Sequence, residues 1–484
     1  MKKTRKVILE PVSRVEGHGK VTVHLDENGK VSDAFFHIVE FRGFERFIQG
    51  HPYWEVPVMV QRLCGICPVS HHLAAAKAID QIVGIDPNAL TPTASLLRRL
   101  LHYAQIFQSH ALHFFYLASP DLLLGIDANP EIRNIVGVAK THKELAKKGI
   151  QMRKFGQELI EALAGKRIHG IVSVPGGVHK TFTPEERAYF LDGKACPNVD
   201  TMIEWTREMI NFMKNYHEQH RSWLDNFAVY PSGHLSLVDT QGALELYDGR
   251  LKAIDATGNT TLDIEDRDYI DYFYEGVEKW TYLKFPYLKH IGRENGWNRV
   301  GPLARINIAS HLTTPQAEQE RFIFKAQTDH KPNHMTMHTH WARLIEMLHC
   351  AELIRDLLHN DAVMGTDLRT EGTRRNEGMG VIEAPRGTLI HHYLVDDEGK
   401  VERCNLIVST THNNEAMNRA VRWVVQHEWK AGTPITEPML NQIEVAIRAY
   451  DPCLSCATHA LGKMPLKVSI YDAQNQKIDE QIKS

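Results

Sequence analysis

Apolar residues recur at three- and four-residue spacing over residues 92–117 (Leu96, Leu97, Leu100, Leu101, Ala104, Phe107), which predicts a long helix. At about 1.5 Å per residue it would run on the order of 35 Å, enough to cross a large domain. The pattern turns helical from about Ser70. The same period predicts helices over 140–163, 199–227, 415–426 and 437–449. Over 341–358 it marks Leu344, Met347, Leu348, Ala351, Leu353 and Ile354 as the buried side of another. Alternation predicts strand over 19–25, and an apolar run over 31–39 continues it past a turn with Asn28-Gly29 at its centre. Two further hairpins are predicted, one near 251–264 and a clearer one pairing 387–395 with 401–408 around Asp396-Asp397-Glu398-Gly399. The expected fold class is mainly α with small antiparallel β-sheets at the margins (α+β). No internal repeat is apparent. No Gly-x-Gly-x-x-Gly follows a strand and there is no Walker loop, so no nucleotide site is expected in this chain.

Composition narrows the class without naming a function. The chain has 484 residues, 43% hydrophobic and 24% charged, with a formal net charge of -3. That balance points to neither nucleic acid nor an anionic membrane as a partner. No apolar run approaches the ~18 residues of a membrane span. Charges among residues 1–5 are followed by no apolar stretch, so no secretory signal is expected. Seven cysteines are an odd number and too few for a disulfide scaffold, which fits reduced thiols in the cytoplasm.

Four of the seven stand in two C-x-x-C pairs, Cys64 with Cys67 and Cys453 with Cys456. A two-residue spacer lets both sulfurs of a turn face one metal. Gly65 is expected to relieve the tightest backbone, and Pro68 and Pro452 to set φ at the loop–helix boundaries. Thiolates are soft donors, suited to zinc, to iron–sulfur, or to nickel and iron. On the pairs alone a structural Cys₄ zinc site stands beside a catalytic centre. Zinc ribbons, however, place their pairs ~15–20 residues apart, whereas Cys453 follows Cys67 by 386 positions. A redox C-x-x-C needs only one pair.

The residues around both pairs, Arg62-Leu63-Cys64-Gly65-Ile66-Cys67 and Asp451-Pro452-Cys453-Leu454-Ser455-Cys456-Ala457-Thr458-His459, resemble the paired signatures of nickel–iron hydrogenase large subunits. Further landmarks stand in order: Arg14-Val15-Glu16-Gly17-His18, Arg42-Gly43-Phe44-Glu45, Ser109-His110-Ala111-Leu112-His113-Phe114 and Glu383-Ala384-Pro385-Arg386-Gly387. The likeness covers essentially the whole chain. It is strongest to the cytoplasmic NAD-linked bidirectional type, chiefly over 451–466 and 41–54. The related respiratory complex I subunit lacks the metal cysteines.

The resemblance implies a long central helix bundle in one intertwined unit over 1–459. The first sheet and cysteine pair would lie in 1–69, a helical body in 70–380, and the hairpin, helices and second pair in 381–459. It implies a Ni-Fe(CN)₂(CO) centre, with Cys64 and Cys453 as terminal nickel ligands and Cys67 and Cys456 bridging nickel to iron. Glu16 would hydrogen-bond a terminal cysteine and carry the first proton away. Arg386 would sit over the open coordination position, held by ion pairs to Asp121 and Asp451. Pro385 and Ser409 would line the diatomic ligands, Ser409 donating to cyanide. His71 would donate to a bridging sulfur, and Glu45 with His459 would bind Mg²⁺. The other histidines, including those over 330–340, are assigned no role.

Residues 460–484 are expected to be a maturation extension removed by a protease after nickel insertion; a retained terminal strand over 466–471 is the alternative. Cys196, Cys350 and Cys404 are too scattered for an iron–sulfur cluster. The implied partners are therefore a small subunit carrying Fe–S clusters, flavin/NAD diaphorase subunits, the maturation protease and nickel-insertion proteins. Another acceptor (NADP, the deazaflavin F420 or a heterodisulfide reductase partner) would serve the same chemistry, because this chain does not touch it.

Overall fold

The computed structural model describes residues 6–28, 30–193, 197–430, 436–458, 466–471 and 477–483. Strands β1 (Lys6–Leu9), β2 (Gly19–Leu25) and β3 (Val31–Ile38) form an antiparallel sheet in that order. On β3, Ala34, Phe36 and Ile38 are buried while their neighbours are less so, the two-residue period of a sheet with one covered face.

The helical body begins with α1 (Pro68–Ile82), buried along almost its whole length. Next comes α2 (Pro92–Leu112), whose first turn is capped by the Thr91 hydroxyl accepting from the Ala94 N–H. The expected helix over 92–117 is not uniform. From His113 to Ala118 the turns widen to a π-helix, ahead of Pro120, which has no N–H to continue the ladder. Helix α3 (Lys143–Ala164) starts later than expected, because His142 breaks it from a separate short helix, Ile135–Thr141. Its buried Met152, Phe155, Leu159, Ile160 and Leu163 recur with helical period. Helices α4 (Val199–Leu224), α5 (Pro302–Ile308) and α6 (Thr339–His359) continue the body. Helix α2 packs against α3 and α6, and α6 packs against α4.

A second sheet holds β4 (Gly233–Val238), β5 (Arg250–Ile254) and β6 (Thr260–Glu265), with a short strand, β7 (Asn298–Arg299), parallel to β4. That parallel pair departs from the purely antiparallel expectation. The third sheet, β8 (Glu377–Ala384), β9 (Gly387–Val395) and β10 (Val401–Ile407), is not marginal either. Strands β8 and β9 lie on α1, so closely that a Cβ on Gly380 would come within 1.9 Å of the Ala74 carbonyl. Both faces of this sheet are covered, so β8 and β9 are buried along most of their length rather than at alternate residues. Helices α7 (Asn414–Glu428) and α8 (Glu437–Ala449) follow. The terminal strands β11 (Leu466–Tyr471) and β12 (Lys477–Lys483) pair with each other antiparallel, so residues 466–471 do form strand.

The feature that positions the site is the meeting of the two ends of the chain. Glu16 and Cys453 form a parallel β-bridge, the Leu454 N–H donating to the Glu16 carbonyl at 2.9 Å. Gly17 permits it: φ is +85°, and a Cβ there would lie 2.8 Å from Leu454 Cβ and 2.9 Å from the Ser455 nitrogen.

Candidate metal centre

Both cysteine pairs are delivered at helix starts. Cys67 precedes Pro68, the first residue of α1, and Cys453 precedes the short helix Leu454–Ala457. Pro68 thus acts as expected, with its missing N–H at a position that needs none. Gly65 does not. It lies outside the left-handed region, and a Cβ would meet nothing within 4 Å.

The four sulfurs converge. Cys64 Sγ lies 3.3 Å from Cys453 Sγ, Cys67 Sγ 3.4 Å from Cys456 Sγ, and Cys453 Sγ 2.9 Å from Cys456 Sγ. All four side chains are buried, and their sulfurs all lie within 4.8 Å of one another. Burial pushes the Cys453 and Cys456 thiols well above the ordinary range. Four buried sulfurs this close become thiolates together only around a cation, so the donor set suits soft, divalent metal.

Arg386 stands over them, in the turn between β8 and β9. Its Nε donates to the Asp451 carbonyl at 2.6 Å and its Nη2 to Asp451 Oδ1 at 3.1 Å. Burial opposes its charge, but Asp451 and the sulfurs of Cys453, Cys67 and Cys64 hold the guanidinium protonated, well above its usual value. Asp451 adopts φ +51°, uncommon for a residue with a Cβ. Pro385, Arg386 and Ser409 line the same small cavity as Cys67, Cys453 and Cys456.

Glu16 reaches the cysteines, its Oε2 3.1 Å from Cys453 Sγ and accepting from the Ser455 N–H at 3.1 Å. His71 also lines the cavity, and its Nδ1 meets His391 Nε2 at 3.1 Å. Glu45 Oε1 accepts from the Leu406 N–H at 2.9 Å; its expected companion His459 lies outside the described residues. Ser409 gives its hydroxyl to the Gly387 carbonyl at 2.6 Å, so in this arrangement the proton is directed at the backbone rather than into the cavity.

Asp121 is the clear correction. It binds not Arg386 but Arg14 at 2.6 Å and Arg448 at 2.9 Å. Although burial opposes it, Arg448 and Arg14 hold its carboxyl below the ordinary carboxylate range. Two nearby arginines claim both of its oxygens, leaving Asp451 as the carboxylate that holds Arg386. Asp121 therefore ties the N-terminal segment to α8 and acts on the site only through that frame.

Three groups escaped the sequence. Ser70, one helical turn past Cys67, lines the cavity with a buried hydroxyl that has no partner among the described residues. Beneath the site Arg305 binds Glu346 (2.5 and 2.7 Å) and Glu383 (2.6 Å), all fully buried. Away from it, His217 and His338 both place Nε2 on Asp225 Oδ1, at 2.7 and 2.9 Å. That triad has metal-like spacing, but Asn333 fixes its chemistry. The Met335 N–H donates to Asn333 Oδ1, so the Asn333 amide N–H donates to His338 Nδ1 and leaves the imidazole proton on Nε2. The triad is a hydrogen-bonded clamp joining the end of α4 to the start of α6.

A family model described as nickel-dependent hydrogenase matches residues 42–148 and 239–459, and one described as HoxL-like matches residues 6–41. The chain is 49% identical to the beta subunit of the NAD-reducing hydrogenase HoxS of Cupriavidus necator, over 99% of each chain. It is 41% identical to one component of the F420-non-reducing hydrogenase vhc of Methanococcus voltae, over 98% of this chain and 99% of the other. A solved NAD⁺-reducing [NiFe]-hydrogenase in its H₂-reduced state superposes with a TM-score of 0.91 at 52% identity, covering 94% of this chain and all of the other. The Ni-Fe-Se hydrogenase of Desulfovibrio vulgaris Hildenborough, at 21% identity and a TM-score of 0.74 over 94% of this chain and all of the other, shares the fold.

Proposed function

Because this chain belongs to the nickel-dependent hydrogenase family, we propose that it is the catalytic subunit of a [NiFe] hydrogenase that splits dihydrogen reversibly into protons and electrons and passes the electrons, through partner subunits, to NAD⁺. The observation that carries this reading is the meeting of four buried sulfurs from opposite ends of the chain within 4.8 Å. Cys64, Cys67, Cys453 and Cys456 would together hold the nickel–iron centre, with Pro385, Arg386 and Ser409 lining the cavity beside it. When bound, the metal pair supplies a Lewis-acidic site that polarises dihydrogen, so that a base can take one proton.

The chain's own residues provide that base and its surroundings. Glu16 Oε2 stands within hydrogen-bond reach of Cys453 Sγ and is aimed by the Ser455 N–H, so it can accept a proton from that sulfur. The polar groups continue outward. Ser455 Oγ donates to Glu40 Oε2 at 3.1 Å, and Glu40 Oε1 meets the exposed His18 ring. Arg386, fixed by two bonds to Asp451, brings a permanent planar charge to the cavity without titrating. His71, in the cavity wall, would donate to one of the cysteine sulfurs. Glu45 and His459 would hold Mg²⁺.

Among the described residues no helix is long and apolar enough to cross a membrane, and a cytoplasmic NAD-linked enzyme fits that. The partners are a small Fe–S protein and a flavin-bearing diaphorase pair. A maturation protease removes residues 460–484 after nickel-insertion proteins have acted. The F420-non-reducing relatives favour a second reading of the acceptor alone, with unchanged chemistry at the metals. Isolation of the native complex separates the two. Co-purifying flavoprotein subunits and dihydrogen-dependent NAD⁺ reduction are expected; a complex that reduces only another acceptor would overturn the NAD assignment.

A further inference from the structure

His71 lies on α1, one turn past Cys67, and forms part of the cavity wall with Cys67 and Cys456. His391 and Tyr393 are two residues apart on β9, so they share a face of the strand. All three side chains are buried. They are joined in series, His71 Nδ1 to His391 Nε2 at 3.1 Å and His391 Nδ1 to the Tyr393 hydroxyl at 2.6 Å.

Distances alone leave the direction of such a chain open, but burial closes it. The Tyr393 hydroxyl has one proton, and His391 Nδ1 is its one hydrogen-bond partner among the described residues. Burial, with Cys404 and Glu45 nearby, keeps the phenol protonated. Leaving that buried O–H without an acceptor would cost about 1–3 kcal/mol, so Tyr393 donates. His391 Nδ1 is then an acceptor, which puts the proton of a neutral imidazole on Nε2. That proton is donated to His71 Nδ1, and His71 in turn carries its own proton on Nε2.

We propose that Tyr393 and His391 are positioning residues that lock His71 in its Nε2–H form, so that it presents a donor, and not a lone pair, to the sulfurs of the metal cavity. This rests on the reading of His71 as a donor to one of the cysteine sulfurs. An N–H directed at a thiolate draws electron density from the sulfur and so from any metal it holds. Tuning of metal ligands through groups one shell further out is the general case. The chain reaches from the cavity into the buried apolar cluster that holds Ile48, Val56, Val395 and Leu406 together with Tyr393.

The test is infrared spectroscopy of the metal-loaded enzyme, reading the stretching bands of the iron-bound cyanide and carbon monoxide. H391L and Y393F are expected to move these bands together to lower wavenumber, more in H391L, with nickel content unchanged. H391Q, whose amide N–H can still donate to His71 and whose carbonyl can accept from Tyr393, is expected to keep them near the wild-type positions. H71L separates the two levels of the reading. If H71L shifts the bands while H391L and Y393F leave them in place, the locking role is wrong and the donor role of His71 survives. If H71L shifts nothing, the donor role fails and the proposal falls with it. Y393F removes only one oxygen and keeps the test open should H391L fail to load metal.

Discussion

Four buried histidines should make this chain acid-sensitive well above the carboxylate range, and His72 shows why. Its Nδ1–H donates to the Pro57 carbonyl at 2.9 Å, and its Nε2 accepts from the Ser173 N–H at 3.1 Å. A second proton would set two N–H groups against each other. Burial, assisted by Arg98 and His179, lowers its pKa from 6.5 to about 4. Burial likewise lowers His102 and His349 to about 4, and His412 to about 3. For a lowered base the sign is fixed. Above 6.5 the imidazole is neutral both folded and unfolded, and there is no effect. As pH falls below 6.5 the unfolded chain takes up protons that the folded chain refuses, so stability falls until the folded value is reached. At about pH 5.5 each group costs roughly 1.4 kcal/mol, or about 5–6 kcal/mol for the four. With an unfolding entropy near 1 kcal/mol per kelvin at this length, the midpoint should drop by about 5 °C between about pH 7.5 and 5.5. The assay is scanning calorimetry of metal-loaded protein at fixed scan rate and ionic strength. His72→Gln should remove from the dependence the roughly 1.4 kcal/mol that this one group contributes, whatever it does to the midpoint itself. A midpoint independent of pH over that window, or an unchanged slope in the variant, would refute the reasoning.

Glu16→Gln keeps an oxygen for the Ser455 N–H but cannot carry a proton. Dihydrogen–water isotope exchange should fall by about 10²-fold or more with the metals retained, and normal exchange would move the relay elsewhere. Arg305→Met leaves Glu346 and Glu383 buried without their cation, a loss of about 3–5 kcal/mol that thermal unfolding should register. An unaltered midpoint would mean the two carboxyls are neutral in the native chain. Intact-mass analysis of active enzyme should give a chain ending at His459, and a terminus at Ser484 would refute removal of the tail.

What could be read from the sequence follows from where each signal lies along the chain. Helices with one buried stripe, such as α3 and α8, declare themselves by period. The hairpin of β9 and β10 is declared by its turn. Strand β8 was missed because the residues over 381–384 are buried on both sides, so no alternation marks them. The metal cysteines stood out through spacing and context together. The partner of an acid did not: nothing local says that Asp121 meets Arg14 and Arg448 in place of Arg386, since the choice is made by how α8 packs near the N-terminal segment. The His217–Asp225–His338 clamp was hidden for the same reason, its third member coming from a different helix. Tyr393 and His391 were visible only as alternate residues of a strand, and their chemistry appears once β9 lies on α1.

The most direct test of the account is elemental analysis with nickel-edge X-ray absorption on the wild-type enzyme and on Cys453→Ala. The account predicts nickel in the wild type in a sulfur-dominated shell, with iron in excess of nickel because the partner's clusters add to the iron of the centre, and loss of both nickel and activity in the variant. Zinc as the sole metal, or nickel retained with its shell unchanged after removal of Cys453, would contradict it.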